Sequence, residues 1–174
     1  MDSVVEDNFW SAYELVHSLI RLGIQSLGII HGPMSASTAF QRASGCMSAV
    51  RQHAPKLRVR EHLGDYTAES GERAVDDFLQ GESPDAIIAM NNLMAVGAIS
   101  RLMKRGFVIG KDITLGSYGA IENYLLIDGS LRYVEQEPRT LGKLAGKLVQ
   151  RRLRDPDAEV VSHVVKQQIV SLHR

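Results

Sequence analysis

Apolar residues along this chain switch repeatedly between helical and strand periods. Residues 9–22 place Ala12, Leu15, Val16, Leu19 and Ile20 at helical spacing and end at Gly23, the pattern of an amphipathic helix with a glycine stop. Residues 27–30 form a short apolar run broken by Gly32-Pro33, which reads as a strand. Ser37 or Thr38 is placed to cap a helix from Ala39 to about His53. A second strand, charged on one face, covers residues 57–63. Thr67 is placed to cap a helix over 68–80. A third strand covers 86–90, and a helix follows to Arg105, stopped by Gly106. Ile113 opens a fourth strand that breaks at Gly116-Ser117-Tyr118-Gly119. A short apolar segment spans 121–127 and a strand covers 131–134. Thr140 caps a helix to about Leu153, and 160–170 is strand-like.

Strand and helix alternate with short connections. That order predicts an α/β fold, an open, mostly parallel, doubly wound sheet with helices on both faces. Such sheets bind ligands at the carboxyl ends of their strands. Four strand ends then share one edge: His31-Gly32-Pro33, Gly64-Asp65-Tyr66, Asn91-Asn92 and Ser117-Tyr118-Gly119. All are polar or glycine-rich.

Composition narrows the function classes. The chain has 174 residues, 44% hydrophobic and 23% charged, enough for a substantial core. Twenty basic residues balance twenty acidic ones, so the electrostatic footprint of non-specific nucleic-acid binding is missing. Cys46 is the single cysteine, which rules out an internal disulfide and fits a cytoplasmic setting. The acidic start has no apolar core of a signal peptide, and no run approaches the ~18 apolar residues of a membrane span. Catalytic patterns are weak. The histidines show no metal-ligand spacing, Gly116-Ser117-Tyr118-Gly119 lacks the Gly-x-Ser-x-Gly elbow, and Gly142-Lys143 lacks a preceding phosphate loop. No enzyme activity, metal or cofactor is expected.

The corners and their flanks, taken together, resemble the effector-binding domain of the LacI/GalR family of bacterial transcription repressors, which is similar in fold to periplasmic sugar-binding proteins. The resemblance rests on Asp7-Asn8 with Ser11-Ala12-Tyr13, Leu27-Gly28-Ile29-Ile30-His31-Gly32-Pro33, Thr38-Ala39 with Arg42 and Gly45, Glu69-Ser70-Gly71, Pro84-Asp85-Ala86-Ile87, Asn91 with Met94-Ala95 and Gly97-Ala98, Asp112-Ile113-Thr114, and Leu141-Gly142. Each match is short; their order and spacing carry the likeness. It implies that residues 1–134 are the second lobe of the effector domain. Residues 135–174 would hold a crossover, a late helix returning towards the first lobe, and a final strand. The headpiece and most of the first lobe would lie outside this sequence, so the expectation is a fragment of a longer repressor, the alternative being an unusual short protein.

The resemblance also implies a ligand set. Arg42 stands where the family's arginine meets a sugar or base, and its planar fork of donors suits hydroxyls or anions; on spacing alone it is a surface arginine. Asn91 offers donor and acceptor, and can equally cap its helix, although Asn92 is the expected cap. Tyr66 can stack on a ligand face or pack as a half-buried tyrosine. Thr38 can bond a ligand or cap, and capping is the simpler role. Gln136 and Asp7 lie near the lobe crossovers and are expected to reach the cleft.

Two departures bear on the effector. Gly119 replaces the aspartate with which the family accepts sugar hydroxyls, and Arg132 enters an altered crossover. The expectation is a less acidic cleft and an effector that is not a typical neutral sugar: a sugar phosphate or another anionic metabolite. The resemblance further implies a homodimer, packed through the helices around 68–75 and 94–102 and through Tyr124-Leu125-Leu126-Ile127. DNA would be contacted only through a helix-turn-helix absent from this sequence, with no membrane contact. A solute-binding protein of a transport system is the alternative of the same fold.

Overall fold

A computed structural model describes residues 1–121 and 131–172. Among these are eight strands and five helices in the order β1 (Ser3–Glu6), α1 (Asn8–Ile20), β2 (Ser26–His31), α2 (Ser37–His53), β3 (Arg58–Leu63), α3 (Ala68–Phe78), β4 (Ala86–Ala89), α4 (Asn92–Lys104), β5 (Thr114–Tyr118), β6 (Leu131–Glu135), α5 (Pro138–Arg154), β7 (Ser162–Val165) and β8 (Gln168–Leu172). Six strands form one sheet in the order β3-β2-β4-β5-β6-β8. It is parallel except at its edge, where β8 runs antiparallel to β6. The segment Tyr124-Leu125-Leu126-Ile127 lies outside the described residues.

Both faces of this sheet are covered. Leu27 and Ile29 of β2 pack with α1 and α2, together with Ala86, Ile88 and Met90. The alternate residues Ile30, Ile87 and Ala89 pack with α3 and α4. A strand buried on both sides has no polar face to show, which is why β2 and β4 read as unbroken apolar runs. The helices α3 and α4 meet through glycines. A side chain at Gly97 would strike the backbone of Ala68, and one at Gly71 would strike that of Met94.

The two ends of the chain form a second, smaller layer. Four-residue β1 pairs in parallel with β7, in register from Ser3↔Ser162 to Glu6↔Val165, and α5 packs beside them. Arg152 of α5 secures the unit: it forks onto the Asp2 carboxylate at 2.9 Å and donates to Pro156 O and Ala158 O. Those bonds hold the Asp2 carboxyl below its ordinary pKa, chiefly through Arg152.

The single strand expected over 160–170 is thus two strands in two sheets, broken at Lys166-Gln167. β1, from the start of the chain, belongs to the small layer, and β8, from its end, to the large one. Three connections join the layers: Asp7, Gln136-Glu137 and Lys166-Gln167.

Candidate functional site

The side chains of interest gather where β4, β5 and β6 end. Arg42 lies on the sheet-facing side of α2, in line with Ala39, Cys46 and Ala49, and is only 8% exposed. Its Nε donates to Asn8 Oδ1 at 2.8 Å and Nη1 to Met90 O at 2.7 Å. Its guanidinium carbon sits 3.6 Å over the Tyr118 ring centroid. Tyr118 also donates its hydroxyl to Asn8 Oδ1, at 3.3 Å, and burial pushes its pKa up to about 12. The guanidinium is therefore held on an edge and on a face, and cannot swing as a surface arginine would. Its Nη2 is left 3.8 Å from a carboxylate oxygen of Glu6.

Glu6 ends β1. Both its oxygens accept from Gln136 Nε2, at 3.1 and 3.0 Å. Glu6 and Asn8 border a cleft of about 500 Å³ with Ser37, Thr38 and Gln41 of α2 on one side and Leu141 of α5 on the other. Thr38 is exposed here. It does not cap: α2 starts at Ser37 with Ala36 in the cap position and no side-chain bond to its first amides. Gln136 reaches this wall through Glu6.

Asn91 caps α4, its Oδ1 accepting from Met94 N at 2.9 Å, while its Nδ2 donates to Tyr66 O at 3.4 Å. Asn92, the expected cap, is instead the first helical residue. Thr140 likewise lies inside α5, whose cap residue is Glu137, and donates to the Glu137 carboxylate. Thr67 does cap α3, as its position predicts. Tyr66 adopts φ 68° and packs against Gly32 and the α3–α4 core, on the opposite face of the sheet from Arg42. Its hydroxyl is buried with no hydrogen-bond partner among the described residues.

Asp7 does not join this group. Because neighbouring residues of an extended chain point to opposite sides, Glu6 and Asn8 face the cleft while Asp7 faces away. Its carboxylate accepts from Trp10 N at 3.2 Å as the α1 cap, and it borders a separate cavity of about 510 Å³ with Trp10, Glu14 and Lys166. Arg132, expected near the cleft, does not reach it either. It pairs with Gly116 in mid-sheet and donates to Ser171 at 2.9 Å. Burial and the nearby charge of Arg21 lower its pKa. It adds no positive charge to the cleft. The residues the sequence reading passed over are Glu6, Asn8, Ser37, Gln41 and Tyr118. The signal for Glu6 was the alternation Glu6-Asp7-Asn8, usable only once β1 is known to be a strand.

No group of three or more histidine, cysteine or acidic side chains among the described residues is arranged to hold a metal ion. Cys46 is buried, with Sγ 3.5 Å from Met90 Sδ. Burial pushes its thiol up to about 12, so it packs as a small apolar group. No helix among the described residues is long and apolar enough to cross a membrane.

Comparison with known proteins gives this geometry a family. The family model of the periplasmic binding protein-like domain matches residues 16–171. The HTH-type transcriptional repressor PurR of Klebsiella pneumoniae is 28% identical over 179 aligned residues, covering 98% of this chain and 52% of the repressor. The structure of a LacI-family transcription repressor from Corynebacterium glutamicum superposes with a TM-score of 0.88 at 23% identity, over 99% of this chain and 66% of the other. That of the Cra dual regulator from Pseudomonas putida, in complex with fructose 1-phosphate, superposes at 0.87 and 20% identity, over 98% and 63%. The chain spans about half the length of the curated relatives it matches (52%). It belongs to the family of periplasmic binding protein-like domains.

Proposed function

We propose that this chain is the effector-sensing part of a LacI-type transcription regulator, taking a small polar metabolite in the cleft between α2 and α5. Occupancy of that cleft sets the balance between lobe arrangements, and so the DNA affinity of a helix-turn-helix carried elsewhere in the same polypeptide. The observation that carries the reading is the fixation of Arg42. A buried guanidinium clamped by Asn8, Met90 O and the Tyr118 ring holds Nη2 3.8 Å from Glu6 and so fixes the Glu6–Asn8 wall of the cleft in place before any ligand arrives. Preorganisation of this kind lowers the entropy cost of binding. The regulator reading is favoured over a transport protein because the matched relatives are repressors. That one such regulator holds fructose 1-phosphate supports a sugar or sugar-phosphate effector.

On this reading the six-stranded sheet is the core of one lobe. The layer of β1, α5 and β7 is the foot of the other, and the three connections between layers are the hinge. The protein works in the cytoplasm as a homodimer, binds without catalysis, and needs no cofactor. The test uses the full-length protein with DNA from its own promoter region. Compounds that raise its melting temperature should change its affinity for that DNA at least several-fold in a gel-shift titration. Binding of compounds with no effect on DNA affinity would overturn the regulator reading.

A further inference from the structure

Glu6 is the one carboxylate among the described residues lining the α2–α5 cleft, and it adjoins one hinge connection while its hydrogen-bond partner lies on another. Glu6 itself leads from β1 into Asp7, the first connection. Gln136, on the connection from β6 to α5, donates Nε2 to both Glu6 oxygens. The Gln136 amide is seated against bare backbone: a Cβ built on Gly119 would lie 2.9 Å from Gln136 Oε1. Behind the carboxylate, Arg42 Nη2 at 3.8 Å balances its charge, while the rest of that guanidinium is committed to Asn8 and Met90.

We propose that Glu6 is the acceptor to which the effector's donors bind, and that Gln136 is a built-in competitor for it. The inference rests on the reading of this cleft as the effector site. A carboxylate accepts through several lone pairs on two oxygens, and Gln136 places a single nitrogen across both. A ligand with two adjacent hydroxyls offers one donor to each oxygen and displaces the amide. An anionic group gains nothing at this wall, because it meets the Glu6 charge and an Arg42 already engaged. Glu6 thereby supplies the acidic acceptor that Gly119 lacks, from another strand. Displacing Gln136 also cuts the tie between the first and second hinge connections, so occupancy of the cleft is transmitted to the relative placement of the two layers.

The experiment titrates the full-length protein by calorimetry with neutral aldopentoses, aldohexoses and polyols, and with the phosphates of the same sugars. Thr38→Trp, at an exposed position on the cleft wall, obstructs any ligand there whatever its chemistry. The expected result is binding of a neutral polyhydroxylated compound that Thr38→Trp abolishes. Glu6→Gln should weaken it ~10- to 100-fold, the scale of a charge-assisted hydrogen bond. Gln136→Ala should tighten it by about 3- to 10-fold, because a competing hydrogen bond is removed; a merely structural glutamine would not tighten binding when deleted. If Thr38→Trp abolishes binding but Glu6→Gln leaves it unchanged, or if only phosphorylated sugars bind, the inference fails and the cleft reading stands. If Gln136→Ala binds no more tightly, the competitor role fails, and this arm decides the matter even where Glu6→Gln does not fold. If nothing binds, or Thr38→Trp has no effect, the cleft reading fails and the inference with it.

Discussion

The guanidinium of Arg42 lies over the ring of Tyr118, 3.6 Å from its centroid, and both side chains reach the same acceptor, Asn8 Oδ1. Arg42 thus supports the ends of α1, β4 and β5 and stands behind Glu6 of the cleft wall. Arg42→Ala should lower unfolding free energy by about 2–4 kcal/mol in urea titrations, since Met90 O and Asn8 Oδ1 lose a buried donor. Arg42→Lys should recover only part of this, because an ammonium cannot make two in-plane bonds and stack at once. Equal stability of Arg42→Ala and the native chain would show that the clamp is not formed in solution.

Gly119 is more than a missing carboxylate. Its φ of +106° suits glycine and few other residues, and a Cβ there would press on Gln136. Restoring the family's acid by Gly119→Asp should therefore destabilise the protein by about 1–3 kcal/mol, measured by chemical denaturation, rather than simply adding an acceptor. A neutral or stabilising effect would mean that the backbone relaxes to an ordinary φ at no cost.

The contrast between Gly119 and Glu6 shows how far the sequence could be read. Elements whose partners lie close in sequence, or whose faces are both buried, were legible: β2 and β4 by their apolar runs, α3 by its Thr67 cap. The four residues of β1 carry no such signal, because their strand partner lies near the other end of the chain. Without β1 as a known strand, nothing in the sequence turns Glu6 inward and Asp7 outward, and Asp7 is the residue to which the resemblance points. Asn91 and Asn92 are equally good caps by type; only the point where β4 stops being extended selects Asn91. Arg132 lay close in sequence to the crossover at Gln136, but its register opposite Gly116 sets it in mid-sheet.

His31 should make the protein acid-sensitive. It is buried, its Nε2 lies 2.8 Å from Glu61, and burial lowers its pKa below 6.5 despite that carboxylate. In the unfolded chain the imidazole takes a proton near its ordinary pKa, and in the folded chain only at lower pH. The unfolded state therefore binds more protons as pH falls from about 6.5, and stability falls with it. The melting temperature should drop between pH 7.5 and 5.5, and His31→Gln should flatten that slope. An unchanged slope would assign the acid sensitivity to other groups.

The helix α4 carries an apolar stripe that its own fold leaves uncovered: Leu93, Val96 and Met103 are 54%, 42% and 55% exposed. The core-facing residues Met94, Ala98 and Leu102 are buried and cannot meet a partner. If the proposed homodimer packs through α4, this stripe is the contact. Val96→Asp should then convert the dimer to a monomer in light scattering while leaving the melting curve of the monomer cooperative. A dimer that survives the charge would place the interface elsewhere.

The layer of β1, α5 and β7 is held differently from the large sheet. Along α5 only Leu148 is buried, and Val149 and Leu153 remain exposed. What fixes the helix is Arg152, which reaches Asp2, Pro156 O and Ala158 O. A layer with few buried apolar contacts opens at low free energy. In hydrogen exchange on residues 1–174 alone, without the rest of the lobe proposed to cover this layer, amides of β1 and β7 should therefore lose protection well before those of β2 and β4. Arg152→Ala should speed exchange in β1 and β7 further and leave the six-stranded sheet unaltered. Added salt should act in the same direction, because it screens the Arg152–Asp2 pair. If Arg152→Ala instead exposes β2 and β4, the two layers unfold as one unit and the hinge between them is not a mechanical boundary.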